Sequence, residues 1–377
     1  MFAVPALVEE ALRAAAGRRL PAEVLGGPAL TAAVVDRSRR YTSERERLVS
    51  PGGAAGLGDL AARALFFTIA DAPKIHLPLA ELRRRIVPAP DGFLDAPALR
   101  VLDAGAGCGA MTLGLLTFLA GEGLRPRVTA TLIDRDQAAL AIAADAIGEV
   151  AAALGIELAI SARGGDVTAL AAPAEHDLVL AGSVLNELEA AAQPRLAAAL
   201  VAALAPAGVV IIVEPALRET TRALHGVRDA LIAGGTATVL APCTRRVAPC
   251  PALADERDWC HDHRPVALPP RAHQLAHVTG LRDGEMKLAY LALARPAAAP
   301  PPAPAYRIVA DPHPQKGKHE VLLCGAPGWV PVRLLRRNRS DANRALERGR
   351  RGDLVRVTPG PDGDLGRADP VMIDHVE

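Results

Sequence analysis

The sequence predicts an α/β fold: a parallel sheet covered by helices on both faces, preceded by a helical module and followed by a small β module. Three observations predict it. Short apolar runs alternate with alanine-rich helical stretches over residues 98–295, no such alternation precedes them, and only short strand candidates follow a proline and alanine tract. The chain has 377 residues, of which 50% are hydrophobic, so at least one large core is expected.

Residues 1–97 read as helices joined by loops: VPALVEEALRAAA, a basic stretch from Arg37 to Arg47 around Tyr41, then LGDLAARALFFTIADAPKIHLPLAELRRR, with Pro73, Pro78 and Pro88 as punctuation. In 98–295, RVLDAG, VTATLID, LAISARGGD, DLVLAGS and GVVIIVEP are strand candidates. AMTLGLLTFLAG, QAALAIAADAIGEVAAALG and AAQPRLAAALVAALA lie between them as helices, and MKLAYLALAR closes the sheet. Leu196 to Val213 is uncharged, but Pro206 and Gly208 interrupt it, so it reads as a helix end and a buried strand, not a membrane span. Over 216–285 the alternation is lost and cysteines appear among prolines, histidines and charges, which reads as an insertion or lid instead of sheet. PAAAPPPAPA, 296–305, reads as an extended linker. Residues 306–377 form a small basic β module with YRIVADP, HEVLLCG and GDLVRVTPG as strands.

With 43 basic and 42 acidic residues, overall charge favours no class of partner, and neither membrane nor DNA is expected. The amino terminus has no basic stretch ahead of an apolar run and carries Glu9 and Glu10, so it does not read as a secretory signal; the cytoplasm is the expected compartment. In a reducing compartment, clustered cysteines bind metal or do chemistry more often than they form disulfides.

VLDAGAGCGAMTLGLL is a strand, a glycine turn and a helix start. Glycines allow positive φ and close approach of a ligand, and the helix N-terminus offers free N–H groups. Gly105, Gly107 and Ala110 satisfy the looser dinucleotide spacing, GxGxxG/A. Two details argue otherwise: Asp103 precedes the first glycine by two residues and Gly109 follows after one, giving DxGxGxG. That arrangement resembles motif I of the class I S-adenosylmethionine (SAM) methyltransferases, which implies a Rossmann-like sheet over residues 98–295 and a SAM site. The resemblance implies that Asp103 and the turn Gly105, Gly107, Gly109 hold the methionine moiety. It implies that Asp134 takes the ribose hydroxyls and Asp166 the adenine amino group, with Val167 packing on the ring. Each aspartate alone would serve equally as a helix cap. Acceptor-facing residues in this family follow the fourth strand, here Ala181 to Leu188. The stretch lacks (D/N)PP(Y/F) and any cysteine nucleophile. Asn186 and Glu187 are the candidates to orient or deprotonate an acceptor, or else to cap the next helix, and the catalytic step stays unassigned.

Cys243, Cys250, Cys260 and Cys324 supply four thiolates, enough for a closed four-cysteine site. Their spacing is not the CxxC pair of zinc ribbons, which leaves zinc open and an iron–sulfur cluster as the other candidate. His261 and His263 are possible substitute ligands, and Cys108, inside the glycine turn, reads as a small packing residue. APCTRRVAPCP, WCH, DGEMKLAYLALAR and the late cysteine, together with SVLNEL and VVIIVEP, resemble the methyltransferase-like proteins associated with the mitochondrial small ribosomal subunit and their bacterial relatives. The resemblance covers residues 98–357. It implies a [4Fe-4S] cluster on Cys243, Cys250, Cys260 and Cys324, a SAM site, and work on small-subunit ribosomal RNA or on small-subunit precursors during assembly. Thr244 and Arg245 stand where that family commonly has Pro-His. Two basic clusters suit an RNA target, RLLRRNRSDANRALERGRR in the C-terminal module and RSRRYTSERER at 37–47, although such runs are often solvated helix faces. A SAM-dependent methyltransferase is the expectation; a non-catalytic assembly factor that keeps SAM and cluster, and a small-molecule methyltransferase with an N-terminal lid, are the rivals.

Overall fold

The computed structural model describes residues 2–42, 56–84, 93–171, 173, 175–296, 305–360 and 362–375. Most of the Pro/Ala tract and residues 43–47 of the basic stretch lie outside them.

The parallel run is β2 (Ala98–Ala104), β3 (Arg127–Asp134), β4 (Leu158–Gly164), β5 (His176–Gly182) and β6 (Leu204–Pro215). In space the order is β4-β3-β2-β5-β6, followed by the antiparallel β9 (Glu285–Ala294). All five strand candidates and the closing strand are thus in one sheet, the Rossmann-like arrangement expected of class I SAM methyltransferases. Side chains alternate faces along each strand. Val209, Ile211 and Val213 enter one core with the helices Ala110–Gly121 and Gln137–Leu154. Val210 and Ile212 enter a second core with the helices Gln193–Ala202 and Arg218–Ala233. Being buried on both faces makes the stretch Val209 to Val213 apolar throughout. Gln137–Leu154 is long and apolar enough to cross a membrane by length and composition; here its Leu140, Ile147 and Val150 are core residues.

The described residues of the stretch 1–97 do not build a core of their own. Leu12 of helix Ala6–Gly17, Leu30 of helix Gly27–Thr42, and Phe66, Ile69 and Leu79 of the helical tract 57–83 share the first core with the sheet. Polar contacts fix this layer. Buried Glu9 accepts the N–H groups of Arg271 (3.2 Å) and Ala272 (2.7 Å), capping helix Pro270–Thr279 from another element, and Arg282 pairs with Asp71. β1 (Phe2–Ala3) runs parallel to β8 (Asp262–Ala267).

The stretch 216–285, expected to leave the sheet, contributes two strands to it. β7 (Thr238–Ala241) pairs with the distal half of β9, at Ala292 to Ala294, and β8 pairs with its proximal half, at Glu285 to Leu288. Together they fill one outer lane that the cysteine loop 242–261 interrupts. DHRPVA and TVLA are too short, and the first too polar, to announce themselves by alternation.

In the C-terminal module β10 (Tyr306–Ile308), β11 (His313–Gln315), β12 (Lys318–Gly325), β13 (Gly328–Leu335), β14 (Leu354–Arg356) and β15 (Met372–Asp374) form a second sheet. It closes on its own core of Ile308, Val321, Leu323, Val332, Leu334, Leu346, Val355, Leu365 and Val371.

Candidate functional site

Three acids stand at the carboxyl ends of three adjacent strands. Asp103 is the penultimate residue of β2, Asp134 is the last of β3, and Asp166 follows β4 by two residues. Strand order reverses beside β2, since the chain goes from β2 to β3 on one side and later enters β5 on the other; ligands in open α/β sheets bind at such a crevice.

The glycine turn has the backbone its sequence requires. Gly105, Gly107 and Gly109 have φ of 74°, 51° and 89°. A Cβ on Gly105 would collide with the side chain of Val184, and one on Gly109 would lie 2.9 Å from Ile147 Cδ1; one on Gly107 would meet nothing within 4 Å. Two of the glycines therefore serve close packing, and Gly107 faces open space.

Asp103 is 1% exposed. Its Oδ2 accepts both the N–H (3.2 Å) and the hydroxyl (2.7 Å) of Thr112, while Oδ1 has no partner among the described residues. Burial pushes this carboxyl up to about 6, against the two Thr112 hydrogen bonds. A buried carboxylate oxygen left open at a strand tip is suited to a cationic ligand group such as an ammonium. Asp134 accepts the Gly107 N–H at Oδ2 and the Asp136 N–H at Oδ1, both at 2.8 Å. The cap of the next helix is Asp136, so Asp134 is not the cap that its position allowed. Asp166 is exposed and does cap a turn: its Oδ1 accepts the N–H and hydroxyl of Thr168, which hold its carboxyl below the usual range. Val167 packs against the second core. Cys108 is buried, its thiol pushed up to about 11 by burial, as fits a packing residue.

Asn186 and Glu187 lie in a 3-10 turn, Leu185–Glu187, beyond β5. Neither caps the following helix, whose N-cap is Ala192. Glu187 instead stands 3.9 Å from Arg37 and 3.6 Å from Arg135. Arg37 is buried and also meets Asp59 and the Tyr41 hydroxyl, and Arg40 pairs with Asp59 at 2.5 Å. Within the described part of the first basic cluster Arg39 is exposed, Arg40 pairs within the N-terminal layer with Asp36 and Asp59, and Arg37 turns inward and joins that layer to the acceptor side. Arg63 does the same one step along, pairing with Asp136.

The second locus is the cysteine loop. Cys243, Cys250, Cys260 and Cys324 line one cavity of about 40 Å³ with His225, His261, Asp262, Tyr290 and Arg307. His263 is not in its lining; it stands 3.6 Å from Asp311. His261 stacks on Trp259, centroids 3.9 Å apart, and burial lowers its imidazole to about 4. Burial and then the neighbouring cysteines push the thiols of Cys250 up to about 11 and Cys324 up to about 12. Among the described residues, no group of three or more His, Cys, Asp or Glu side chains is suited to hold a metal ion.

Most of the groups that brace the cysteines around this cavity carried no sequence signal. Helix Arg218–Ala233 presents Arg222, His225, Arg228 and Asp229 at helical spacing along one side. Arg222 donates to the carbonyls of Ala252 (2.8 Å), Asp255 (2.6 Å) and Asp258 (2.6 Å), and Arg228 to those of Arg245 and Val247. A His225 ring nitrogen lies 3.2 Å from the Cys260 carbonyl, and Asp229 accepts the Cys250 N–H at 2.7 Å. Thr244 and Arg245 reach across the gap: the Thr244 hydroxyl donates to the Cys324 carbonyl at 2.8 Å and Arg245 to that of Ala326. Arg307, opposite Cys324 in the β10–β12 register, donates to Pro242 O (2.6 Å), the carbonyl just before Cys243, and makes a two-pronged pair with buried Glu81 at 2.9 and 2.7 Å. The Tyr290 hydroxyl also donates to Glu81.

No curated protein matches this chain. Among solved structures, magnesium protoporphyrin IX methyltransferase (ChlM) from Synechocystis PCC 6803 with bound SAM is similar at 10% identity over 70% of this chain and 96% of that one, with a TM-score of 0.35. A SAM-dependent methyltransferase from Geobacter sulfurreducens in complex with S-adenosyl-L-homocysteine is similar at 14% identity over 61% of this chain and 97% of that one, with the same TM-score, 0.35. Likenesses this slight carry no argument, and the fold rests on the strand order described above. The family model described as mitochondrial small ribosomal subunit Rsm22 matches residues 94–356, more than half the chain, and the protein belongs to the Rsm22 family.

Proposed function

We propose that this chain is a SAM-binding, methyltransferase-like protein that acts on small-subunit ribosomal RNA or on small-subunit precursors during assembly, and that its four cysteines hold an iron–sulfur cluster. The observation that carries the SAM reading is the convergence of Asp103, Asp134 and Asp166 on one crevice around a turn with three positive-φ glycines. The residues fit the ligand: the open Oδ1 of Asp103 suits the methionine ammonium, and the free space at Gly107 admits a ligand against the backbone. In this reading Asp134 takes the ribose hydroxyls, and Asp166 with Val167 the adenine. Bound SAM supplies an already activated methyl group, so the protein need only align an acceptor and take its proton if it has one to lose. Asn186 and Glu187 are the candidates for that task.

Four thiols around one cavity are the donor number that an iron–sulfur cluster with four cysteine ligands takes, and this supports the cluster. An RNA target is supported by the family and by exposed cations at one end of the β12–β13 hairpin. Lys316, Arg336 and Arg337 are exposed and have no acidic partner among the described residues, whereas Arg333, Arg339, Arg344, Arg351 and Arg356 are paired with acids. The cytoplasm is the compartment this reading assumes.

One observation favours the non-catalytic assembly factor as second reading: Glu187 on the acceptor side is already engaged by Arg37 and Arg135. Labelled-methyl transfer from SAM to small-subunit RNA and precursors separates the two. Transfer establishes the enzyme; SAM and RNA binding without transfer establishes the assembly factor. Anaerobic purification followed by iron, sulfide and zinc analysis tests the cluster, and a zinc-loaded, sulfide-free protein would overturn it.

A further inference from the structure

Four strand tips carry acids, and the one at the tip of β6, Glu214, has no role in the account above. Its side chain is 1% exposed. Oε1 accepts the N–H groups of Val184 at 3.1 Å and Leu185 at 2.9 Å, the Asn186 N–H also turns toward this carboxyl, and Oε2 has no partner among the described residues. Successive N–H groups converging on one point make an anion-binding nest, and here the occupant is the protein's own side chain.

The loop that forms the nest is held in a shape it would not adopt unaided. Ser183 has φ of 58°, a left-handed conformation uncommon for a residue with a Cβ, and its N–H is tied to Val213 O at 2.7 Å, one residue before Glu214. The result is that Val184 lies so close over Gly105 that a methyl group there would collide with it. Burial pushes the Glu214 carboxyl up to about 8, so an apolar residue would sit in this core with less penalty; what the acid contributes is the shape of the loop.

We propose that Glu214 is a positioning residue for the cofactor crevice: by holding the Val184 and Leu185 N–H groups it seats Val184 against Gly105, and so sets the glycine turn for a sulfonium nucleoside ligand, SAM or its thioether product. The proposal rests on the SAM reading. It adds a residue that touches neither the ligand nor the acceptor and acts through Val184.

The test combines calorimetry with S-adenosylhomocysteine (SAH) and hydrogen exchange of peptides spanning 183–187, on the full chain. Glu214→Gln retains an oxygen that accepts both bonds, so SAH affinity should stay within about threefold and the loop amides should stay protected. Glu214→Leu removes both bonds; affinity should fall by about tenfold or more, and protection should be lost at 183–187 while β5 and β6 keep theirs. Val184→Ala, with Glu214 intact, should weaken SAH with the loop amides still protected, which keeps the proposal testable if the leucine variant does not fold. A folded Glu214→Leu protein that binds SAH like wild type overturns it, as does a glutamine variant as weak as the leucine one. Wild-type protein that takes up no SAH would sink the SAM reading instead, while the exchange data would still report whether Glu214 holds the loop.

Discussion

Replacing Arg307 by methionine should detach the C-terminal module from the sheet and open the cysteine cavity. Arg307 is 3% exposed and its partner Glu81 is 0% exposed. Besides the two bonds to Glu81, the guanidinium donates to Pro242 O and Gly352 O, both at 2.6 Å. It thus joins an N-terminal helix, the segment entering Cys243 and the strand facing Cys324. Removing one partner of a buried ion pair destabilises by roughly 3–5 kcal/mol because the other charge is stranded. At about 1.4 kcal/mol per tenfold, the balance between docked and undocked module should shift by about two to nearly four orders of magnitude. Limited proteolysis at the 296–305 tract, hydrogen exchange of β10 and iron content read the same event. Faster cleavage, faster exchange and lower iron are expected together. Glu81→Leu combined with Arg307→Met removes both charges and should lie nearer to wild type than the single change. An Arg307→Met protein as resistant and as iron-rich as wild type would refute the reasoning, as would a double variant no better than the single one.

The Asp103 carboxyl, raised to about 6, is above its value of roughly 4 in an unfolded chain, so the ligand-free protein binds more protons than the unfolded chain in that window and loses stability as pH rises through it. The ionised form is the one that suits an ammonium: SAH affinity measured by calorimetry should fall as pH drops below about 6, and Asp103→Asn should flatten the profile, whereas a flat wild-type profile would contradict this. Gly107→Ala has open space around it and should fold with a strain of about 1–2 kcal/mol while weakening SAH tenfold or more. Gly109→Ala meets Ile147 and should lower the melting temperature further, so equal melting of the two variants would count against the assigned roles. Arg336→Glu with Arg337→Glu should reduce the salt slope of RNA binding by about one per lost phosphate contact, and Arg333→Glu, which breaks a pair with Asp364, should change it less. Identical slopes would remove that end of the hairpin from the interface.

The parallel run was legible in the sequence because its central strands β5 and β6 are buried on both faces, and an uninterrupted apolar run such as VVIIV has few other uses, whereas the edge strand β4 has no buried residue. The three aspartates were legible as strand-end acids through the resemblance to motif I of class I SAM methyltransferases and the strand boundaries together, since Asp166 follows Arg163-Gly164-Gly165 and no local apolar run marks it. Glu214 was not, because one acid closing the fifth apolar run looks like a strand ending, and only the tertiary fold shows it buried under the Val184 loop. Helical periodicity in residues 1–97 revealed apolar stripes without revealing what they face, so a layer that shares the main core read as a separate module. β7 and β8 were hidden by brevity and by the loop between them, and were mistaken for part of a lid. The basic run at 37–47 read as a surface, yet Arg37 and Arg40 find Asp59, an acid far enough along the chain that no local pattern pairs them. Glu81 and Arg307, 226 positions apart, are the extreme of the same limit.

Isothermal titration of the intact chain with SAH tests the central claim most directly. The account predicts saturable binding at one site, abolished or strongly weakened by Asp103→Asn and by Gly107→Ala while both variants stay folded. Absence of binding to the folded wild-type protein, or binding indifferent to both changes, would contradict it.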